Sequence, residues 1–190
     1  MPFAARYLPG EPLDDSEKDL THSIFHSRVD RTNIKIHKSA IANFYMELIG
    51  ADALTFGDTI LLRDEIYNNR ESDSDFYTHY VMAHELTHVW QGQNCGSLHF
   101  RALKEKASSI VNGDGLYGHY GYVLLPKKDL SEYGIEQQAS IVADYYALQQ
   151  GLEPLYLINA KESKEEYIRL YESTLSQFLK DPSYLRQQCK

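Results

Sequence analysis

The sequence predicts an α+β fold in which a small mixed sheet precedes a set of helices. Strand-like segments cluster between residues 33 and 63, two strong helical segments follow over 76–93 and 133–150, and a further capped helix closes the chain. No internal repeat or low-complexity tract interrupts this order, and 190 residues suit one large domain, 1–190.

Residues 1–30 carry three prolines and scattered charge and read as an irregular arm wrapping the domain. Residues 33–38 (NIKIHK) alternate apolar and polar, as a half-buried strand does. Residues 40–49 have helical spacing through Ile41, Phe44, Tyr45 and Leu48, with Gly50 as a natural stop. Residues 53–56 and 59–63 read as two short strands around Gly57-Asp58, a hairpin signal. Residues 68–75 (NNRESDSD) form a polar loop that ends in helix-capping residues.

A long helix is predicted over 76–93, where Tyr80, Ala83, Thr87 and Trp90 recur on neighbouring faces. Gly113, Gly115, Gly118, Gly121 and Pro126 make residues 94–131 loop-rich. The helix over 133–150 stops at Gly151. Residues 160–190 contribute a packing helix: Ser163 and Glu166 make a capping box, and Tyr167, Leu170, Tyr171, Leu175 and Phe178 fall on one side.

Composition narrows the function. The net charge is −8 and no Lys/Arg run or basic stripe offsets it, which argues against nucleic acid and anionic membrane as partners. No apolar run approaches the roughly 20 residues of a membrane span, so membrane insertion is not expected. The first twelve residues lack the charged and apolar regions of a signal peptide. Cys95 and Cys189 cannot make a disulfide framework; they read as two reduced thiols, with one long-range bridge as the alternative. Fifteen Tyr against seven Phe and one Trp place many ring hydroxyls at a surface, cleft or interface.

The chemistry lies in His84-Glu85-Leu86-Thr87-His88, the pattern H-E-x-x-H, at the centre of the helix over 76–93. Residues four apart on a helix lie one above the other, so two imidazoles can grip one ion. Glu85 projects beside that ion, placed to take a proton from a bound water. Zn²⁺ suits neutral imidazole ligands and lowers the pKa of such a water to about 7. The pattern fits hydrolysis of a peptide carbonyl.

A catalytic zinc takes a third protein ligand and keeps an open position. The extension H-x-x-G-x-x-H fails, because Gln91 and Asn94 stand where glycine and the third histidine would be. The helix over 133–150 supplies two carboxylates on an otherwise apolar or small-residue surface. Glu136 in its first turn is read as the third ligand, with Asp144 as an acceptor fixing an imidazole tautomer; the reverse assignment stays open. His119, with one of Tyr117, Tyr120 and Tyr122, is a candidate donor to the tetrahedral oxyanion. His37, His79 and His99 read as structural or surface residues, and Thr87 and Trp90 as packing for the motif helix.

Three segments in order, residues 34–37 (IKIH), 50–60 (GADALTFGDTI) and 83–91 (AHELTHVWQ), resemble the zincin-like metallopeptidase domain of contractile injection systems, the eCIS core domain. Tyr120-Gly121-Tyr122 and residues 135–139 (IEQQA) further resemble its branch on type VI secretion spikes, the VgrG-related metallopeptidase effectors. This resemblance implies a zincin-like fold and Zn²⁺ on His84, His88 and Glu136, with Glu85 as base. It implies a bacterial toxin made in the cytoplasm without a signal peptide and delivered by an injection apparatus. Its implied substrate is a protein or a peptidoglycan peptide, and its implied partners are a spike component and an immunity protein. Ser140 departs from the gluzincin pattern, which has Asp four residues after the ligand Glu. Zincins bind extended substrate along an edge strand; residues 59–63 are assigned to that edge, with an interior strand as the equal alternative. The rival from another class is a non-catalytic, zinc-stabilised adaptor that docks cargo or spike components.

Overall fold

Lys35–His37 (β1), Ala53–Phe56 (β2) and Thr59–Leu62 (β3) build one three-stranded sheet in the order β1-β3-β2. The computed structural model that defines it describes residues 10–70, 75–96, 117–159 and 163–187. The chain forms two compact units, residues 1–93 and 94–190. The fold is mixed α+β.

In the first unit β1 runs parallel to β3, pairing Ile36 with Ile60, and β2 runs antiparallel to it, pairing Phe56 with Thr59. The sheet is therefore mixed. A two-residue turn joins β2 to β3, and Gly57 takes φ +63° at its first central position, which glycine adopts without steric cost. Ile60 and Leu62 are fully buried, as expected of an interior strand. This corrects the edge assignment of residues 59–63, since β3 has a neighbour on each side. Local pattern gives a strand's faces and not its place in the sheet. Outside β1, Glu11 exchanges backbone hydrogen bonds of 3.0 and 2.8 Å with Ile36. Among the described residues, β2 is the free edge.

The irregular arm expected before residue 30 contains a helix, Asp15–Phe25 (α1). Its signal is a capping box: the Asp14 carboxylate accepts from Glu17 N at 2.8 Å, and Glu17 accepts from Asp14 N at 2.9 Å. Ala40–Ile49 (α2) is capped by Ser39 and stopped by Gly50 in the left-handed region, at φ 68°. The apolar residues that mark this helix in sequence, Ile41, Phe44, Tyr45 and Leu48, are exposed, while Met46 is fully buried. Asp64–Asn69 (α3) takes up the first residues of the expected 68–75 loop, of which 71–74 lie outside the described residues. Phe76–Cys95 (α4) carries the H-E-x-x-H residues, and Trp90 in its C-terminal half stacks on Phe25 of α1, ring centroids 6.1 Å apart.

In the second unit a short helix, Tyr117–Tyr120 (α5), leads into a parallel bridge between Tyr122 and Leu157. Ile135–Gln149 (α6) follows, its cap at Gly134 closed by Gln137, and Gly151 sits beyond it at φ 81°. The C-terminal packing segment divides into Lys164–Thr174 (α7) and Ser176–Lys180 (α8), which bury Tyr167, Tyr171, Leu175 and Phe178. Cys95 is disulfide-bonded, which corrects the reduced-thiol reading. The sequence holds one other cysteine, Cys189, outside the described residues. Among the described residues no helix is long and apolar enough to cross a membrane.

Candidate metal centre

Helix α4 is buried along most of its circumference from Tyr80 to Gln91, so its placement rests on specific contacts as well as on an apolar stripe. Three of these reach the β2–β3 hairpin and its approach. Tyr77 donates its hydroxyl to Asp52 Oδ2 at 2.6 Å, Thr55 donates to Glu85 Oε2 at 2.6 Å, and Gln93 Nε2 donates to Asp58 Oδ1 at 2.8 Å. The contacts step by eight residues along the helix and by three along the hairpin, which sets the helix in register against the sheet. Gln93 also accepts from Asp30 N at 2.7 Å and donates to Asp30 O at 3.0 Å, fixing the end of that register.

On this helix the His84 and His88 rings stand edge to face, centroids 4.9 Å apart and planes 81° to one another. The i,i+4 spacing produces that approach. His84 is buried and His88 half-buried. The Gln91 side-chain oxygen lies 2.8 Å from His88 Nδ1. An amide oxygen only accepts, so Nδ1 carries the proton and Nε2 keeps the lone pair a metal needs. Glu85, between the histidines in sequence, is 6% exposed.

Glu136 lies in the first turn of α6 and is buried. Gln137 and Gln138 hold this helix start: Gln137 Nε2 donates to Gly121 O at 2.9 Å and Gln138 Nε2 to Tyr133 O at 2.8 Å. His84, His88 and Glu136 form a group that could bind a metal ion; each offers one ligand atom, and these atoms lie within 4.8 Å of one another. Two imidazoles and one carboxylate are the donor set of a three-ligand catalytic zinc site.

Asp144 is not in that group. Its fully buried carboxylate accepts from Leu155 N at 2.7 Å, Tyr156 N at 3.1 Å and the Tyr122 hydroxyl at 2.5 Å, and Tyr171 bonds to Tyr122 in turn. Burial and then the Asp144 charge push the Tyr122 hydroxyl well above its ordinary pKa, so it stays a protonated donor. Tyr122 thus spends its hydroxyl inside the unit. Tyr120, the second tyrosine of that loop, stacks on Tyr156 with centroids 5.4 Å apart. Ser140, where the gluzincin pattern has Asp, is fully buried, and its hydroxyl has no hydrogen-bond partner among the described residues.

His119 sits on α5, and its Nε2 is buried without a partner among the described residues. His37 is buried on β1, His79 lies 3.5 Å from the Ser16 hydroxyl, and His99 lies outside the described residues. Thr87 is buried and bonds back to Ala83 O at 2.7 Å, consistent with a packing role. Sequence reasoning did not single out Thr55, and it used Gln91 only to exclude the extended motif. Gln91 had a usable signal, lying one turn beyond His88.

Residues 12–96 match the eCIS core domain. Over 139 residues the chain is 27% identical to the type VI secretion system spike protein VgrG2b of Pseudomonas aeruginosa, a match that takes in 72% of this chain and 13% of that protein. The solved effector domain of Pseudomonas aeruginosa VgrG2b aligns with a TM-score of 0.61 at 23% identity, covering 90% of this chain and 83% of that one. The chain therefore shares the fold of that effector domain. It resembles a domain of contractile injection systems.

Proposed function

We propose that this chain is a zinc metallopeptidase with a zincin-like fold over residues 1–190, acting as an effector delivered by a type VI-like contractile secretion system. The observation that carries the reading is the donor set His84, His88 and Glu136, with the carboxylate of Glu85, next to His84 in sequence, held by the Thr55 hydroxyl. When bound, zinc supplies Lewis-acid chemistry, acidifying a water and polarising the amide carbonyl. Glu85 takes the proton of that water and returns it to the departing amine, so one peptide bond is exchanged for a carboxylate and an amine. Gln91 holds His88 in the tautomer that leaves Nε2 for the metal. His119, whose Nε2 has no partner among the described residues, donates to the oxyanion.

The substrate is a protein or a peptidoglycan peptide. Similarity to a spike protein supports spike association, and a toxin of this kind calls for an immunity protein in the producing cell. Production in a bacterial cytoplasm followed by injection is the route this reading implies, and similarity to a type VI secretion spike protein supports it.

Expression of wild type beside Glu85→Ala, in the cytoplasm and in the periplasm of a bacterial host, tests the proposal. Growth arrest by wild type in one compartment, lost in a Glu85→Ala chain that still holds one zinc, is the expected result. Equal effects of the two chains would leave the non-catalytic adaptor in its place.

A further inference from the structure

Thr55 lies on β2, the strand with the free edge among the described residues, thirty residues before Glu85 in sequence. Its hydroxyl oxygen is 2.6 Å from Glu85 Oε2 and 3.3 Å from the Glu85 backbone oxygen. The shorter contact is a charge-assisted hydrogen bond at the strong end of the range, and the longer one is marginal. A threonine hydroxyl has one hydrogen. It can hold one carboxylate oxygen at a time, and the distances place it on Oε2.

We infer that Thr55 is the positioning residue for Glu85: its hydroxyl fixes the carboxylate through Oε2 and leaves Oε1 as the oxygen that exchanges a proton with water. This rests on the peptidase reading of the same site. A glutamate side chain has three rotatable bonds, and burial alone does not choose the rotation of its carboxylate. The β-branched Thr55, stiff about χ1 and held in a paired strand, supplies an anchor that does choose it. The arrangement also places the anchor of the base on β2, the strand whose edge is free among the described residues.

The test uses the full chain as wild type, Thr55→Val, Thr55→Ser and Glu85→Gln. Crystal structures of the zinc-loaded chains read the Glu85 side chain directly, and cleavage of fluorescence-quenched casein reads turnover. Thr55→Val is expected to keep one zinc per chain and its melting temperature, to lose the single Glu85 carboxylate position, and to lower kcat about 10- to 100-fold with KM unchanged. Thr55→Ser restores both the position and the rate. A Thr55→Val chain whose Glu85 carboxylate stays in place, or whose kcat equals wild type, overturns the inference. If wild type and Glu85→Gln fail equally to cleave, the peptidase reading falls, and the crystallographic comparison still decides whether Thr55 positions Glu85.

Discussion

Glu17 and Arg70 meet through two charge-assisted hydrogen bonds, Arg70 Nε to Oε1 at 2.6 Å and Nη2 to Oε2 at 2.8 Å. Both side chains are buried, 2% and 6% exposed. The same Glu17 closes the capping box of α1, so one carboxylate sets the start of that helix and fastens it to Arg70 just beyond α3. Arg70 also rests on the Tyr67 ring, 5.1 Å from its centroid, and reaches Glu11 Oε2 at 3.2 Å.

Removing one partner of this pair leaves the other buried and unpaired. Arg70→Met is expected to cost about 3–5 kcal/mol in urea unfolding, and adding Glu17→Gln should recover most of it. A single variant as stable as wild type would mean that the pair opens to water in solution.

Gly10 lies against the ring of His37. A Cβ at Gly10 would stand 2.2 Å from His37 Nε2 and 2.5 Å from its Cε1, far inside contact distance. Gly10→Ala should therefore lower stability by roughly 1–3 kcal/mol through overpacking, and Gly10→Ala with His37→Ala should be less destabilised than the sum of the two changes. Additive effects in the unfolding free energies would contradict this contact.

His37 also predicts a pH dependence. Burial holds its imidazole below the ordinary value of 6.5, so the unfolded chain binds its proton more readily than the folded one. The stability that follows is fully present above about pH 6.5 and is lost as pH falls through and below it, with a slope of at most about 1.4 kcal/mol per pH unit. Unfolding midpoints between pH 7 and 5 should fall more steeply for wild type than for His37→Gln. Parallel curves would remove His37 from the account.

The sequence carries the β2–β3 hairpin and α4 plainly, because Gly57-Asp58 marks a tight turn and residues 76–93 keep helical periodicity around the H-E-x-x-H residues. It carries α1 less plainly. The three prolines before residue 13 mask the capping pair Asp14 and Glu17, although that D-x-x-E spacing was there to be read. The order β1-β3-β2 was out of reach, since a strand's faces follow from side-chain period and its neighbours do not. Thr55 was out of reach for the same reason: its distance from Glu85 comes from tertiary register alone.

Gln91 yields a prediction that separates metal binding from catalysis. Gln91→Leu removes the acceptor that fixes the His88 tautomer and should weaken zinc binding about 10- to 100-fold in a chelator competition, with the fold retained. Unchanged affinity would show that the tautomer needs no such acceptor.

The central claim is that this site breaks peptide bonds with Glu85 as the base. The most direct measurement is mass-spectrometric detection of newly exposed α-amino groups in a bacterial whole-cell extract that includes the cell wall. The extract is treated with zinc-loaded wild type or with Glu85→Ala of equal zinc content. A defined set of new amino groups is expected with wild type and none with Glu85→Ala. The same set from both chains, or none from wild type carrying one zinc per chain, would contradict it.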